Sequence, residues 1–206
     1  MLHLSTHPLI RQEVGFLRNR DADATQFRAS LRRVSQLLAY EASAHLPLQN
    51  ASVETPLETT KSKVLAVPVI LVPVLRAGLG MVDAFLEILP KARVGHVGLY
   101  RDEETLEPVE YYGKYPDELE RAAVFVLDPM LATGGSAVAA IRILNERGAS
   151  DVRLISLVSA PEGVAAVERE FEGIHIHTAA LDRGLNDKGY IVPGLGDAGD
   201  RIFGTG

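Results

Sequence analysis

Apolar residues recur along this chain with two periods, and the alternation between them outlines its elements. Phe27, Leu31, Val34, Leu38 and Ala42 stand three or four residues apart, the spacing that gathers side chains on one helix face. Asp23 or Thr25 is placed to cap the start of that helix. Pro8 suits a first helical turn, and Leu9, Glu13, Phe16 and Leu17 predict a short helix behind it. Residues 46–63 are polar, hold two prolines and read as a loop with one short edge strand. Residues 64–75 form a β-rich run whose Pro68 and Pro73 fit strand ends or bulges better than a central position. Arg76-Ala77-Gly78-Leu79-Gly80 then turns into an apolar helix over 81–89, stopped by Pro90. Two strand-like runs, 93–100 and 109–115, flank a polar tip at hairpin spacing and predict a projecting arm.

The second half alternates strand and helix. Strand 124–127 leads through a small-residue turn into a helix that opens at or near Ser136 and closes at Gly148. Strand 152–159, helix 161–171 with Pro161 at its first position, and strand 174–179 follow. Strands alternating with helices of this length predict an α/β fold, a central and mainly parallel sheet with crossover helices. Ligands of such sheets bind outside the carboxyl ends of the strands, where Arg76, Asp128 and the 159–161 turn all fall. No internal repeat, low-complexity tract or linker divides the chain, so residues 1–206 are expected to form one domain.

Composition removes several function classes. With 47% apolar and 23% charged residues, the chain reads as an ordinary soluble protein, with no membrane span and no signal peptide. The absence of cysteine removes disulfides and thiolate metal sites and fits a reducing cytoplasm. A net charge of −6 argues against nucleic acid as the main partner, while a local arginine cluster still permits a small anionic substrate.

The chemistry concentrates at Asp128-Pro129-Met130-Leu131-Ala132-Thr133-Gly134-Gly135-Ser136. An acid at a strand end, then small residues and a helix start, place backbone N–H groups where a phosphate can sit, beside a carboxylate. Glycines let a phosphate approach without side-chain obstruction. No Gly-Lys-Ser/Thr follows at P-loop spacing, and no G-x-G-x-x-G follows the strand. A strand-to-helix turn with a capping serine is the competing reading of the loop taken alone.

Residues 128–136 resemble the phosphoribosyl-pyrophosphate (PRPP) loop of the type I phosphoribosyltransferases, and in wording that of their uracil branch. Leu127 precedes Asp128 where most of these enzymes carry a second acid, and the lone acid is the form of the uracil branch. Three more segments match in the family's order: residues 75–81 (Leu-Arg-Ala-Gly-Leu-Gly-Met), 100–108 (Tyr-Arg-Asp-Glu-Glu-Thr-Leu-Glu-Pro) and 189–200 (Gly-Tyr-Ile-Val-Pro-Gly-Leu-Gly-Asp-Ala-Gly-Asp). With His7-Pro8-Leu9 they span almost the whole chain.

The resemblance implies the type I fold, with the hairpin as an arm and the C-terminal segment as a hood over a base. It implies PRPP binding by Arg76, Arg101, the loop residues Asp128, Pro129, Met130, Leu131, Ala132, Thr133, Gly134, Gly135 and Ser136, and Asp197. It places Ile191, Gly196, Asp197 and Ala198 at uracil, and gives Asp128 and Arg76 the stabilisation of the transition state and leaving group, with no general base. Mg²⁺ is implied as a cofactor held through PRPP and water, with no direct protein ligand. The implied reaction moves the 5-phosphoribosyl group of PRPP to N1 of uracil, yielding UMP and pyrophosphate in cytoplasmic pyrimidine salvage by a homo-oligomer. GTP is an effector for some family members, and no residue here argues for or against it.

Each assignment has a plainer competitor in the residues. Arg76 can be an ordinary strand-end arginine, and Arg101 can pair with Asp102, Glu103 or Glu104 at a solvated hairpin tip. Tyr190, Ile191, Val192, Pro193, Leu195 and Phe203, set among six glycines, are expected to be buried, with or without a ligand beneath them. His175 and His177 share a strand face and could supply two metal ligands, but no third is evident in the sequence, and solvated or hydrogen-bonded strand histidines are the favoured reading. Two other functions compete: a type I transferase for a different base, and an RNA-binding regulator of pyrimidine genes on the same fold. Residues 190–200 argue against the first, and the acidic balance argues against the second.

Overall fold

The computed structural model describes residues 1–101 and 108–205. In chain order the strands and helices are β1 (Leu2–Leu4), α1 (Pro8–Arg18), α2 (Ala24–Ser43), β2 (Leu48–Glu54), β3 (Thr59–Leu65), β4 (Val69–Leu75), α3 (Leu79–Ile88), β5 (Arg93–Val94), β6 (His96–Arg101) and β7 (Pro108–Lys114). The second half adds β8 (Ala123–Leu127), β9 (Met130–Leu131), α4 (Gly135–Glu146), β10 (Asp151–Ser159), α5 (Pro161–Glu170), β11 (His175–Leu181), β12 (Gly184–Leu185), β13 (Ile191–Val192) and α6 (Ala198–Phe203).

Seven strands run β1-β11-β10-β8-β4-β6-β7 across one sheet, with β5 pairing β4 and β9 pairing β10. All these pairs are parallel except β6 with β7. The central strands are apolar on both faces, as a sheet covered twice requires. Phe125, Leu127, Ile155 and Leu157 pack with α1, α2 and α3, while Val124, Val126, Leu154 and Ile176 pack with α4 and α5. The α/β reading, its parallel order and its flanking helices are therefore what the molecule adopts.

The helix starts follow local chemistry. Asp23 caps α2: its side chain accepts from the Gln26 N–H, and the Gln26 side chain accepts from the Asp23 N–H. Phe27, Leu31, Val34, Leu38 and Ala42 are all buried, as their period predicts. In α1 the prediction is half right. Leu17 is buried but Leu9 and Phe16 are each 53% exposed, because they lie at the rim of a stripe centred on Ile10, Val14 and Leu17.

Three expectations need correction. Residues 46–63 are not mainly loop: β2 and β3 pair over seven residues each as an antiparallel hairpin outside the main sheet. Their exposed, mixed side chains carry no clear period-2 signal, so the pairing was hidden in the pattern. Residues 64–75 divide, with 64–65 ending β3 and β4 beginning at Val69. Pro73 lies inside β4, a central strand, against the expectation for a proline. It is tolerated where pairing on one side changes from β5, opposite Ile70 and Leu71, to β6, opposite Val74 and Leu75. The 93–115 hairpin forms as β6 and β7 at the sheet edge, and its tip, 102–107, lies outside the described residues.

Candidate functional site

The carboxyl ends of β4 and β8 are neighbours, so the turns that follow them lie side by side. Asp128 is one residue beyond β8. Its N–H donates to the Ile155 carbonyl (3.0 Å), and its Oδ1 accepts from the Met130 N–H (3.3 Å). Burial raises its carboxyl pKa to about 6, with the Met130 bond opposing. Residues 129–131 are stitched onto β10: the Pro129 carbonyl accepts from Leu157 and Val158, and the Leu131 carbonyl from Ala160.

Helix α4 begins at Gly135, with Gly134 as its N-cap at φ +87° and no side chain capping it. The capping-serine reading is thereby excluded. Thr133 and Ser136 present exposed hydroxyls around the uncapped first turn. A methyl at Gly134 would stand 2.9 Å from Ala166 Cβ and 3.0 Å from the Gly163 carbonyl oxygen. One at Gly163 would stand 2.5 Å from the Ala132 carbonyl oxygen. Gly134 is needed first for its left-handed turn and for the packing of α5 beneath the loop.

Arg76 follows β4 across a cis Leu75–Arg76 peptide. Its side chain is 64% exposed and has a loose partner, Asp200 Oδ1 at 3.9 Å. Gly78 explains the tight turn: a methyl there would lie 2.3 Å from the Leu127 carbonyl oxygen, so this turn presses against the end of β8. Arg101 ends β6, and its side chain, like Asp102, Glu103 and Glu104, lies outside the described residues.

The C-terminal segment is clasped to the first two helices by arginines. Arg18 donates to both Asp182 oxygens (2.8 and 2.6 Å) and to the Gly194 carbonyl (2.9 Å), while the Gly194 N–H donates to Asp182 (2.8 Å). Arg201 donates to the carbonyls of Leu17, Leu195 and Asn19 and stacks over Phe27. Arg28 donates to the Ile202 carbonyl (2.8 Å). Asp197 caps the short α6 by accepting from the Asp200 N–H (3.0 Å). Of the apolar residues expected to be buried, Ile191 and Leu195 are, while Tyr190 and Phe203 stay 52% and 42% exposed and Pro193 is exposed. The clasp is polar, so fewer apolar anchors are needed than the composition suggested. None of Arg18, Arg28, Asp182 and Arg201 stood out in the sequence, since nothing local marks which distant group an arginine meets.

One cavity of about 260 Å³ joins the two regions. Asp128, Met130 and Ala132 line it from the loop, Ala77 from the β4 turn, and Ile191, Gly196, Asp197 and Ala198 from the C-terminal segment. A larger cavity of about 670 Å³ lies elsewhere, against α2, α3 and α6, and touches none of these loop residues. The smaller one brings the Asp128 carboxylate to a base-sized space, with Arg76 and residues 133–136 outside its lining, and it is the candidate active site. Gly189, Tyr190 and Gly199 line it as well.

Residues 4–205 match the family model described as uracil phosphoribosyltransferase. The chain belongs to the uracil phosphoribosyltransferase family. It is 54% identical over 200 residues to the uracil phosphoribosyltransferase of Levilactobacillus brevis, covering 97% of this chain and 96% of that one. A solved protein of Aquifex aeolicus is 38% identical, with a TM-score of 0.94 over 100% of this chain and 99% of its own. A purine phosphoribosyltransferase of Pyrococcus horikoshii shares the fold at 14% identity, with a TM-score of 0.54 over 76% of this chain and 85% of its own. The type I fold is thus common to this family and to transferases whose names give other bases.

Proposed function

We propose that this protein transfers the 5-phosphoribosyl group of PRPP to N1 of uracil, giving UMP and pyrophosphate as one domain over residues 1–206. One observation carries the reading beside family membership: the Asp128 loop and the 189–199 segment line a single small cavity. The uncapped N–H groups at the start of α4, with the Thr133 and Ser136 hydroxyls, suit the 5′-phosphate. Pro129, Met130, Leu131 and Ala132 carry the loop from Asp128 to that turn, and Asp128 accepts from the ribose hydroxyls. Arg76, whose partner among the described residues is the loosely placed Asp200, can grip pyrophosphate with two parallel N–H bonds, and Arg101 is assigned to the same anion. Main-chain groups at Ile191, Gly196 and Ala198 read the carbonyl and N–H edges of uracil, while Asp197 faces PRPP.

As pyrophosphate departs, positive charge grows at C1 of the ribose, and the protein positions both reactants and stabilises the departing anion. Two carboxylates line the cavity, Asp128 and Asp197, hard oxygen donors too few to cage an ion but suited to water-bridged Mg²⁺. Mg²⁺, when bound with PRPP, neutralises charge on the leaving pyrophosphate.

Among the described residues no helix is long and apolar enough to cross a membrane. We place the protein in the cytoplasm. We also assign it a homo-oligomeric state, which exposed Leu48, Val53, Leu57, Val64 and Leu65 on and around the β2–β3 hairpin favour. Pyrophosphate release with PRPP and Mg²⁺ against uracil, cytosine, orotate, hypoxanthine and adenine tests the reaction. Turnover confined to uracil is expected. Preference for another base would overturn the base assignment, and PRPP binding without turnover would overturn the enzyme.

A further inference from the structure

The two strand histidines have a third partner that the sequence did not reveal. β1 pairs in parallel with β11, and the register sets His3 directly opposite His177. Side chains opposite one another on paired strands share a face, and His175 lies two residues from His177 on that face. The three rings are drawn together. His3 and His177 have centroids 4.5 Å apart, His3 and His175 5.0 Å, and His3 Nε2 lies 2.8 Å from His175 Nδ1. Each residue offers one ring nitrogen, and the three nitrogens lie within 4.8 Å of one another.

We infer that His3, His175 and His177 form a binding site for one first-row transition-metal ion of the Zn²⁺ type. Three imidazoles with no carboxylate among them select Zn²⁺, Ni²⁺, Co²⁺ or Cu²⁺ over Mg²⁺ or Ca²⁺, which take oxygen ligands. Two Zn–N bonds of about 2.0–2.1 Å at a tetrahedral angle set their nitrogens roughly 3.3 Å apart. The His3–His175 contact therefore opens by about half an ångström, and the more widely spaced nitrogens, within 4.8 Å, close by up to about 1.5 Å, as the ion replaces the shared proton. His3 and His175 are half-buried, so the ion has a path in, while His177 is buried and gives the site a fixed wall.

The charges facing the cluster leave room for a cation. Arg153, opposite His175, is held by both Asp151 oxygens (3.1 and 3.0 Å), and the chain's amino group pairs with Glu168 (3.1 Å). His45, beyond the end of α2, is the remaining imidazole in electrostatic reach. The site lies at the sheet edge towards the start of β11, away from the carboxyl strand ends that carry Asp128 and Arg76, and so is independent of the transfer reaction. Its effect is to tie β1 to the sheet.

The test is a Zn²⁺ titration of the untagged, chelator-stripped full chain by calorimetry, with Co²⁺ followed by visible absorption. One Zn²⁺ per chain and tetrahedral Co²⁺ bands are expected. His3→Ala and His175→Ala should each weaken Zn²⁺ by more than the roughly 10–100-fold that loss of an outer-shell partner causes. His45→Ala should leave it unchanged. His175→Gln, which keeps a hydrogen-bonding side chain beside His3, guards against a folding defect, and each variant should retain wild-type turnover with PRPP. Zn²⁺ should raise the melting temperature of the wild type and not of the double His3→Ala, His175→Ala variant. Absence of stoichiometric Zn²⁺ binding, or equal binding by that double variant, would overturn the proposal.

Discussion

The loop over 128–136 and the segment over 182–205 face the same cavity, yet they are built by different means. The loop is held by a left-handed glycine and by the next strand and helix in the chain, through backbone bonds to β10 and α5 packed beneath it. The C-terminal segment is held by arginines whose partners lie more than 160 residues away in the chain, Arg18 with Asp182 and Arg201 with the end of α1. The turn after β8 is held by the strand and helix that follow it, whereas the C-terminal segment depends on the packing of α1 and α2.

Separating the two regions experimentally starts with the clasp. Arg18→Ala leaves the Asp182 carboxylate, 5% exposed, without its cation. Loss of about 3 kcal/mol is expected, the low end for a broken buried pair because Arg18 itself keeps 25% exposure. Chemical denaturation measures that loss, and steady-state kinetics should show KM for uracil rising more than KM for PRPP. Equal rises in both would mean that the two regions are not separable.

Asp128→Asn attacks the loop's chemistry and spares its shape. A folded-state pKa raised from 3.8 to about 6 means that the stabilising contribution is complete below the unfolded value and is lost as pH rises through 6. The ligand-free variant escapes that loss, so at pH 8 it should be more stable than wild type by at most about 3 kcal/mol. The gap should close as pH falls towards roughly 4, as thermal melts across pH would show. Its kcat/KM should be depressed at pH 8, while wild-type kcat/KM should fall below about pH 6 as Asp128 takes up its proton.

Smaller effects sharpen the contrast. Gly134→Ala forces a side chain into φ +87° against Ala166 and should cost about 2 kcal/mol, with KM for PRPP rising more than KM for uracil. Asp23→Ala removes the α2 cap far from both regions; a loss of about 1 kcal/mol with unchanged KM values is the expected control.

Much of this could be read from residues in order. The helices at 8–18 and 24–43, the strand-turn-helix around Asp128, and the β/α alternation behind it follow from side-chain period, caps and glycine stops, which act over a few residues. Pro73 inside a central strand, the β2–β3 hairpin and the half-exposed Tyr190 and Phe203 were not legible. Each depends on what the neighbouring strand or segment leaves open.

The same divide runs through the sites. Asp128 and the Thr133–Ser136 turn announce themselves because they form one contiguous stretch of chain with a strand end, glycines and a helix start in order. Arg18 meeting Asp182, and His3 arriving opposite His177, are choices made by sheet order and helix packing. An arginine or histidine carries no mark of its partner. Such pairings are energetically similar at many positions, and the fold selects one by bringing those groups within bonding distance.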